Sequence, residues 1–249
     1  MDGLNPVEPP AGIPPAGRPP GLARRLYQDE WAVWRSHYRK YFKYAARALG
    51  LGFVAGYLFF SLWPAQEKKA LEFVVQSLKD VSLQASPLVL ALTLFYHNAR
   101  ASVVAVAAGM IPFLFVPIFD PLLNGGVLGL LVSIAQHQHL AVPRLILTQI
   151  LPHGVFELAG VLYATSVGLY LSAAMGRKVR AARLRRRAPA QPVPPQPPQA
   201  NFLETYPERT EAAALASPAR NVVRSFVLVV LPLLFVAAMI EGLVTPHLR

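Results

Sequence analysis

The chain has 249 residues, of which 54% are hydrophobic and only 15% charged, with a formal net charge of +11. The charged fraction is far below the roughly 25% usual for soluble domains, and uncharged runs such as Ala48 to Trp63 and Ala101 to Phe119 approach the roughly 17–25 residues that cross a bilayer. An ordinary soluble domain is thereby excluded; the lack of cysteine removes disulfides and thiol chemistry, and basic residues without a recognised binding motif argue against a nucleic-acid partner.

Residues 1–22 are rich in Pro and Gly and lack an apolar h-region, which predicts a disordered tail rather than a cleavable signal peptide. The first hydrophobic segment is then expected to act as an uncleaved signal anchor. Residues 23–47 predict a cytoplasmic basic-aromatic helix. Tyr27, Trp31, Trp34, Tyr38, Tyr41, Ala45 and Ala48 alternate at steps of four and three along one helix face, while Arg24, Arg35, Arg39, Lys40, Lys43 and Arg47 take the others. Such a helix suits the headgroup interface as a lead-in to the first span; docking to a partner is the alternative.

The membrane domain, 48–175, begins with Ala48 to Trp63, where Gly52 and Gly56 stand at small-xxx-small spacing. Leu71, Val74, Val75, Leu78 and Val81 mark an amphipathic helix on the outer surface, and Ser86-Pro87 predicts a cap and the start of a new helix. Leu88 to Phe119 is 32 residues, about 48 Å of helix against a hydrocarbon core of roughly 30 Å. His97, Asn98 and Arg100 are expected to divide it into an inserted piece, Leu88 to Tyr96, and a second span, Ala101 to Phe119, kinked by Pro112 and Pro117. Asp120-Pro121 predicts a tight turn, and a third span begins near Leu122. Pro143 to Ala174 is again too long for one crossing, and Pro152-His153-Gly154 is expected to divide it, with the fourth span from His153 to Ala174. Residues 176–221 predict an Arg/Pro-rich cytoplasmic linker, and 222–249 a fifth span with a short outer tail.

An all-α membrane protein with about five transmembrane helices and two broken or re-entrant hydrophobic segments is therefore expected. With the N-terminus inside and the C-terminus outside, 18 of the 24 Lys and Arg fall on the cytoplasmic side of the cell membrane, as the positive-inside rule favours.

The most informative segment is Leu151 to Leu158, Leu-Pro-His-Gly-Val-Phe-Glu-Leu. A proline costs about 3 kcal/mol inside a helix and a central carboxylate roughly 2.5–3.5 kcal/mol on insertion scales. A chain keeps such groups when packing offsets the cost or function needs them. The topology puts Asn98, Arg100, His153, Glu157 and Glu241 at one depth in the outer half of the bilayer, as an intramembrane polar cluster with Arg100 paired to Glu157 or Glu241. On the fourth span His153, Glu157, Gly160, Ala164 and Gly168 form one polar and small stripe, which is expected to face inward. Pro152 and Gly154 are read as helix-break positions, and Asn124, Gly125, Gly129 and Gly160 as close-packing ones. Structural pairing and a functional acid or ion ligand both stay open for Glu157 and Glu241. His137 and His139 are two residues apart and share no helix face, no HExxH occurs, and phosphate-binding loops and nucleophile elbows are absent. No catalytic residue, metal or cofactor is expected.

Several segments carry a family resemblance. Phe95-Tyr96-His97-Asn98-Ala99-Arg100 with the following Gly109, Asn124-Gly125 with Gly129, the run from Leu151 to Glu157, and Ala237-Ala238-Met239-Ile240-Glu241-Gly242 together resemble the stage II sporulation protein M family, from about Pro87 to Pro246 without the linker. The resemblance implies a cytoplasmic-membrane protein without known enzymatic activity. It also implies a scaffold or anchor for peptidoglycan-degrading partners, a role tied in spore-formers to engulfment. The bilayer and envelope proteins are the expected partners, and a homo-oligomer stays open. A transport component, moving an ion or small solute past polar groups at broken helices, is the alternative.

Overall fold

The computed structural model describes residues 21–77, 86–187 and 218–244, and among them the regular structure is helical, with no strand. Helix α1 runs Leu22–Leu62, with a π-helical turn at Trp34–Tyr38. Helix α2 is Ala65–Ser77 and α3 is Pro87–Ala108. A 3-10 turn, Val116–Ile118, leads into α4, Phe119–His137. The short α5, Val142–Leu145, passes through a π turn, Ile146–Ile150, directly into α6, Leu151–Arg187. Helix α7, Pro218–Ser225, passes through a third π turn, Phe226–Val230, into α8, Leu231–Leu243. Among the described residues five helical stretches are long and apolar enough to cross a membrane: Leu22–Leu62, Pro87–Ala108, Val116–His137, Leu151–Leu184 and Ala219–Leu243.

Local chemistry explains the boundaries. Ser86 caps α3, its hydroxyl accepting from the Val89 N–H at 3.5 Å, and Pro87 takes the first helical position. Asp120 and Pro121 lie inside the first turn of α4 rather than in a turn before it: proline is tolerated there and the carboxylate favours the positive helix end. The basic run after Ala174 continues α6 to Arg187 instead of opening the linker, because Ala, Leu and Arg are strong helix formers. The predicted Pro/Gly tail to residue 20, the polyproline linker at 188–217, Leu78 and Val81 of the amphipathic helix, and the outer tail at 245–249 lie outside the described residues.

The interruptions of the two long hydrophobic segments fall elsewhere than expected. His97, Asn98 and Arg100 do not divide the first; α3 is continuous through them and ends at Ala108, before an irregular turn that includes Pro112. The second does not part at Pro152. The helix continues, and the π turn just upstream contains Thr148, whose carbonyl the Pro152 ring would otherwise meet. Pro232 is accommodated likewise, its i−4 residue Leu228 lying within the π turn of the last span.

Helix α6 is the centre of the bundle, with 72% of its most apolar window buried, and it packs on α1, α3, α4 and α8. Helices α1 and α4 lie parallel along a glycine seam. A Cβ on Gly52 or Gly56 would strike the backbone of Leu122 or Gly126, and one on Gly125 or Gly129 the backbone of Leu49 or of Phe53 and Tyr57. The seam closes at its far end through Tyr57 Oη donating to Gln136 Oε1 at 2.8 Å, and Ser133 Oγ donating to Glu67 Oε1 of α2 at 2.7 Å.

Candidate functional site

Helices α3, α6 and α8 bring four of the five expected polar residues together. The Asn98 amide donates to Glu157 Oε1 at 3.0 Å, and His153 Nδ1 lies 2.6 Å from Glu241 Oε2. Glu157 is within electrostatic range of both His153 and Glu241, so the two pairs form one group. Small residues let the helices approach: Gly160 faces Leu234 of α8, and Gly242 of α8 faces Ala91 and the Pro87 carbonyl of α3. Farther along the α6 stripe Ala164 is fully buried, and Gly168 meets Gly109, the Ala105 carbonyl and the Pro117 ring.

Arg100 is not in this group. It is exposed and lines a groove of about 440 Å³ between α3 and α4, together with His97 and Asp120. The reason is geometric. Residues two apart on a helix point to nearly opposite sides, so with Asn98 turned to Glu157 the guanidinium of Arg100 must turn away. The expected Arg100–glutamate pairing is replaced by Asn98–Glu157 and His153–Glu241.

Asp120 extends the polar group in a way the sequence reading missed. Asn124 Nδ2 donates to the Asp120 carbonyl at 2.9 Å and to its carboxylate at 3.3 Å, and Asp120 is within electrostatic range of Glu157. Gly125 and Gly129 lie on the α1 seam. Gly154 is buried, yet a Cβ there would meet only the Ile150 methyl at 3.5 Å, an ordinary contact. His137 is turned to Glu67, 2.9 Å from its carboxylate. Among the described residues no three His, Asp or Glu side chains converge as a metal-binding set.

A second polar group lies where the N-terminal part of α1 crosses α6 and the start of the last span. Glu30 is 3% exposed. Its Oε1 accepts from Tyr163 Oη and from Ser225 Oγ, each at 2.6 Å, and its Oε2 accepts from Arg224 Nε at 3.0 Å. Arg224 also reaches Asp29 at 3.7 Å, and Ser225 Oγ lies 3.3 Å from Tyr38 Oη. Around this carboxylate the aromatic residues pack inward: Trp34 stacks on Tyr163 at 5.2 Å, and Tyr38 meets Tyr163 and Tyr170 edge-on at 5.9 and 5.4 Å. The basic-aromatic helix thus docks on its own bundle through Trp34, Tyr38 and Tyr41, while Tyr27 and Trp31 stay exposed. The available signal was an acid among the aromatic residues and an arginine at the edge of the last span, 194 residues apart.

A family model described as stage II sporulation protein M matches residues 45–246. No curated protein and no solved structure matches the chain.

Proposed function

The chain belongs to the stage II sporulation protein M family, and on that premise we propose that this multi-pass membrane protein is a non-catalytic scaffold, anchoring peptidoglycan-degrading partners at the cytoplasmic membrane. Its N-terminus lies inside and its C-terminus outside in this reading, as the distribution of Lys and Arg favours. The observation that supports it is where the buried and half-buried acids are directed: Glu157 to Asn98, Glu241 to His153, and Glu30 to Arg224, Tyr163 and Ser225, each partner on another helix. Charged groups in a bilayer face the bundle interior and pair. Used this way they fix helix rotation, which suits a rigid platform, and the expected readings of structural pairing apply to Glu157 and Glu241.

The test is affinity purification of the tagged chain in mild detergent, wild type beside Glu157→Gln, with both proteins also reconstituted in liposomes. The scaffold reading expects cell-wall hydrolases to co-purify with the wild type and no ion flux through it. A chain that purifies alone, well folded, and moves ions in a manner lost with Glu157→Gln would overturn it in favour of transport.

A further inference from the structure

Two adjoining grooves border the turn between α3 and α4. One, of about 440 Å³, lies between Lys40, Tyr41 and Tyr44 of α1 and Ile118, Leu169 and Ala173. The other, of about 240 Å³, lies between Phe113 and the α6 residues Ser172, Gly176, Arg177 and Arg180. Phe115 and Ala173 line both, so they are parts of one cleft, of a size at which small-molecule sites occur, about 300–1,000 Å³.

The cleft has an apolar floor and a cationic rim. Leu169, Ile118, Phe113 and Phe115 face it, no carboxylate among the described residues lines either part, and Lys40, Arg177 and Arg180 are all exposed at its edge. His37 lies within electrostatic range of both Lys40 and Arg177, which places cations of α1 and α6 around one spot. The wall between is strained backbone: Phe113 and Phe115 have φ of 71° and 48°, values bulky residues seldom adopt and which surrounding structure must enforce. That conformation lays the Phe113 ring over Gly176, where a Cβ would stand only 3.0 Å from it. Met110, Ile111 and Leu114 of the same turn are exposed and apolar, so the cleft opens towards lipid.

We propose that this cleft is a binding site for an anionic phospholipid of the surrounding bilayer, with the phosphate on Lys40, Arg177 and Arg180 and an acyl chain over Phe115, Leu169 and Ala173. Charge selects the occupant. Three cations without a carboxylate favour a net anionic headgroup over a zwitterionic one, and the apolar floor favours a chain-bearing ligand over free phosphate. The site is independent of the scaffold reading, and its Lys40 and Tyr44 lie outside the family match.

The experiment is native mass spectrometry of the full chain in mild detergent with added phosphatidylglycerol, phosphatidylcholine or inorganic phosphate. One phosphatidylglycerol per chain should persist, without comparable phosphatidylcholine. A cation near an anionic lipid contributes about fivefold, so Lys40→Gln/Arg177→Gln/Arg180→Gln should weaken retention on the order of a hundredfold. The charge-matched Arg24→Gln/Arg183→Gln/Arg186→Gln, at positions outside the cleft, should retain the lipid. Ala173→Trp, which fills the shared floor with all charges kept, should expel it; should that variant misfold on size exclusion, Lys40→Gln alone must show its fivefold loss. Equal weakening in the two triple variants, equal retention of phosphatidylcholine, or displacement by inorganic phosphate would each overturn the proposal.

Discussion

Replacing Gly52 by alanine tests the packing of the bundle most sharply. Helix propensity alone favours the change by about 1 kcal/mol. At Gly52, however, a Cβ would stand 2.9 Å from the Leu122 carbonyl carbon and 3.1 Å from its Cα, with the carbonyl oxygen nearer still. These are backbone atoms and cannot rotate away, so α1 and α4 must separate along their seam. A gap of about 0.5–1 Å forfeits a quarter to a half of the dispersion well for the facing atoms, and overpacking of this kind costs about 1–3 kcal/mol. Because backbone is struck, the upper part of that range applies; after the propensity gain, Gly52→Ala should destabilise by about 1–2 kcal/mol. Gly50, two residues away on the exposed face, has nothing within 4 Å of the point a Cβ would occupy, so Gly50→Ala should be neutral or stabilising by up to about 1 kcal/mol. The assay is reversible unfolding of the purified chain in mixed micelles, titrated with a denaturing detergent and followed by tryptophan fluorescence and circular dichroism. A Gly52→Ala protein at least as stable as Gly50→Ala would refute the seam.

Three further outcomes are expected. Glu30→Ala or Arg224→Ala should each cost about 3 kcal/mol, as breaking a buried pair does, and should expose the N-terminal part of α1 to limited proteolysis; an unchanged digestion pattern would remove Glu30 as the anchor. A double-mutant cycle on His153→Ala and Glu241→Ala, read in the same unfolding assay, should give a coupling of about 1 kcal/mol or more, and additivity would mean the pair does not hold α6 to α8. Arg100→Gln should stay within about 0.5 kcal/mol of wild type, whereas Asn98→Leu should cost about 1–3 kcal/mol by leaving Glu157 without its donor; equal losses would return Arg100 to the cluster.

Depth along the helices was legible in the sequence, and rotation about them was not. Counting residues from the ends of hydrophobic runs places Asn98, His153, Glu157 and Glu241 at one level, and the structure pairs these residues. The same count includes Arg100, because it measures rise and ignores which side of α3 a residue takes. The aromatic stripe shows the effect at larger scale. A uniform helix would align Tyr27 and Trp31 with Tyr38 and Tyr41. The π turn at Trp34–Tyr38 adds a residue to that turn and rotates the upstream face by about 100°, so Glu30 and Val33 are buried and Tyr27 and Trp31 are exposed. Within that turn Ser36 Oγ donates back to the Ala32 carbonyl at 2.7 Å, a bond of the kind that bends helices. Nothing in apolar periodicity reports such an insertion.

The other two π turns connect this point to the polar group itself. They lie just upstream of Pro152 and Pro232, on the two helices that carry His153 and Glu241. A regular α-turn would set each proline ring against the carbonyl four residues before it, whereas the extra residue of a π turn rotates the upstream segment by about 100° relative to the helix that follows. The wider turn removes the clash while the ladder continues, which is how proline is accommodated in apolar helices. It also lets Phe226–Val230 adjust the rotation between Arg224 and Ser225 at one end of the last span and Glu241 at the other. Both ends can then face α6, Ser225 towards the carboxylate held by Tyr163 and Glu241 towards His153. Pro152, which reads as a break in the sequence, and Pro232 thus mark rotational offsets rather than breaks, and one continuous helix serves two polar groups at different depths.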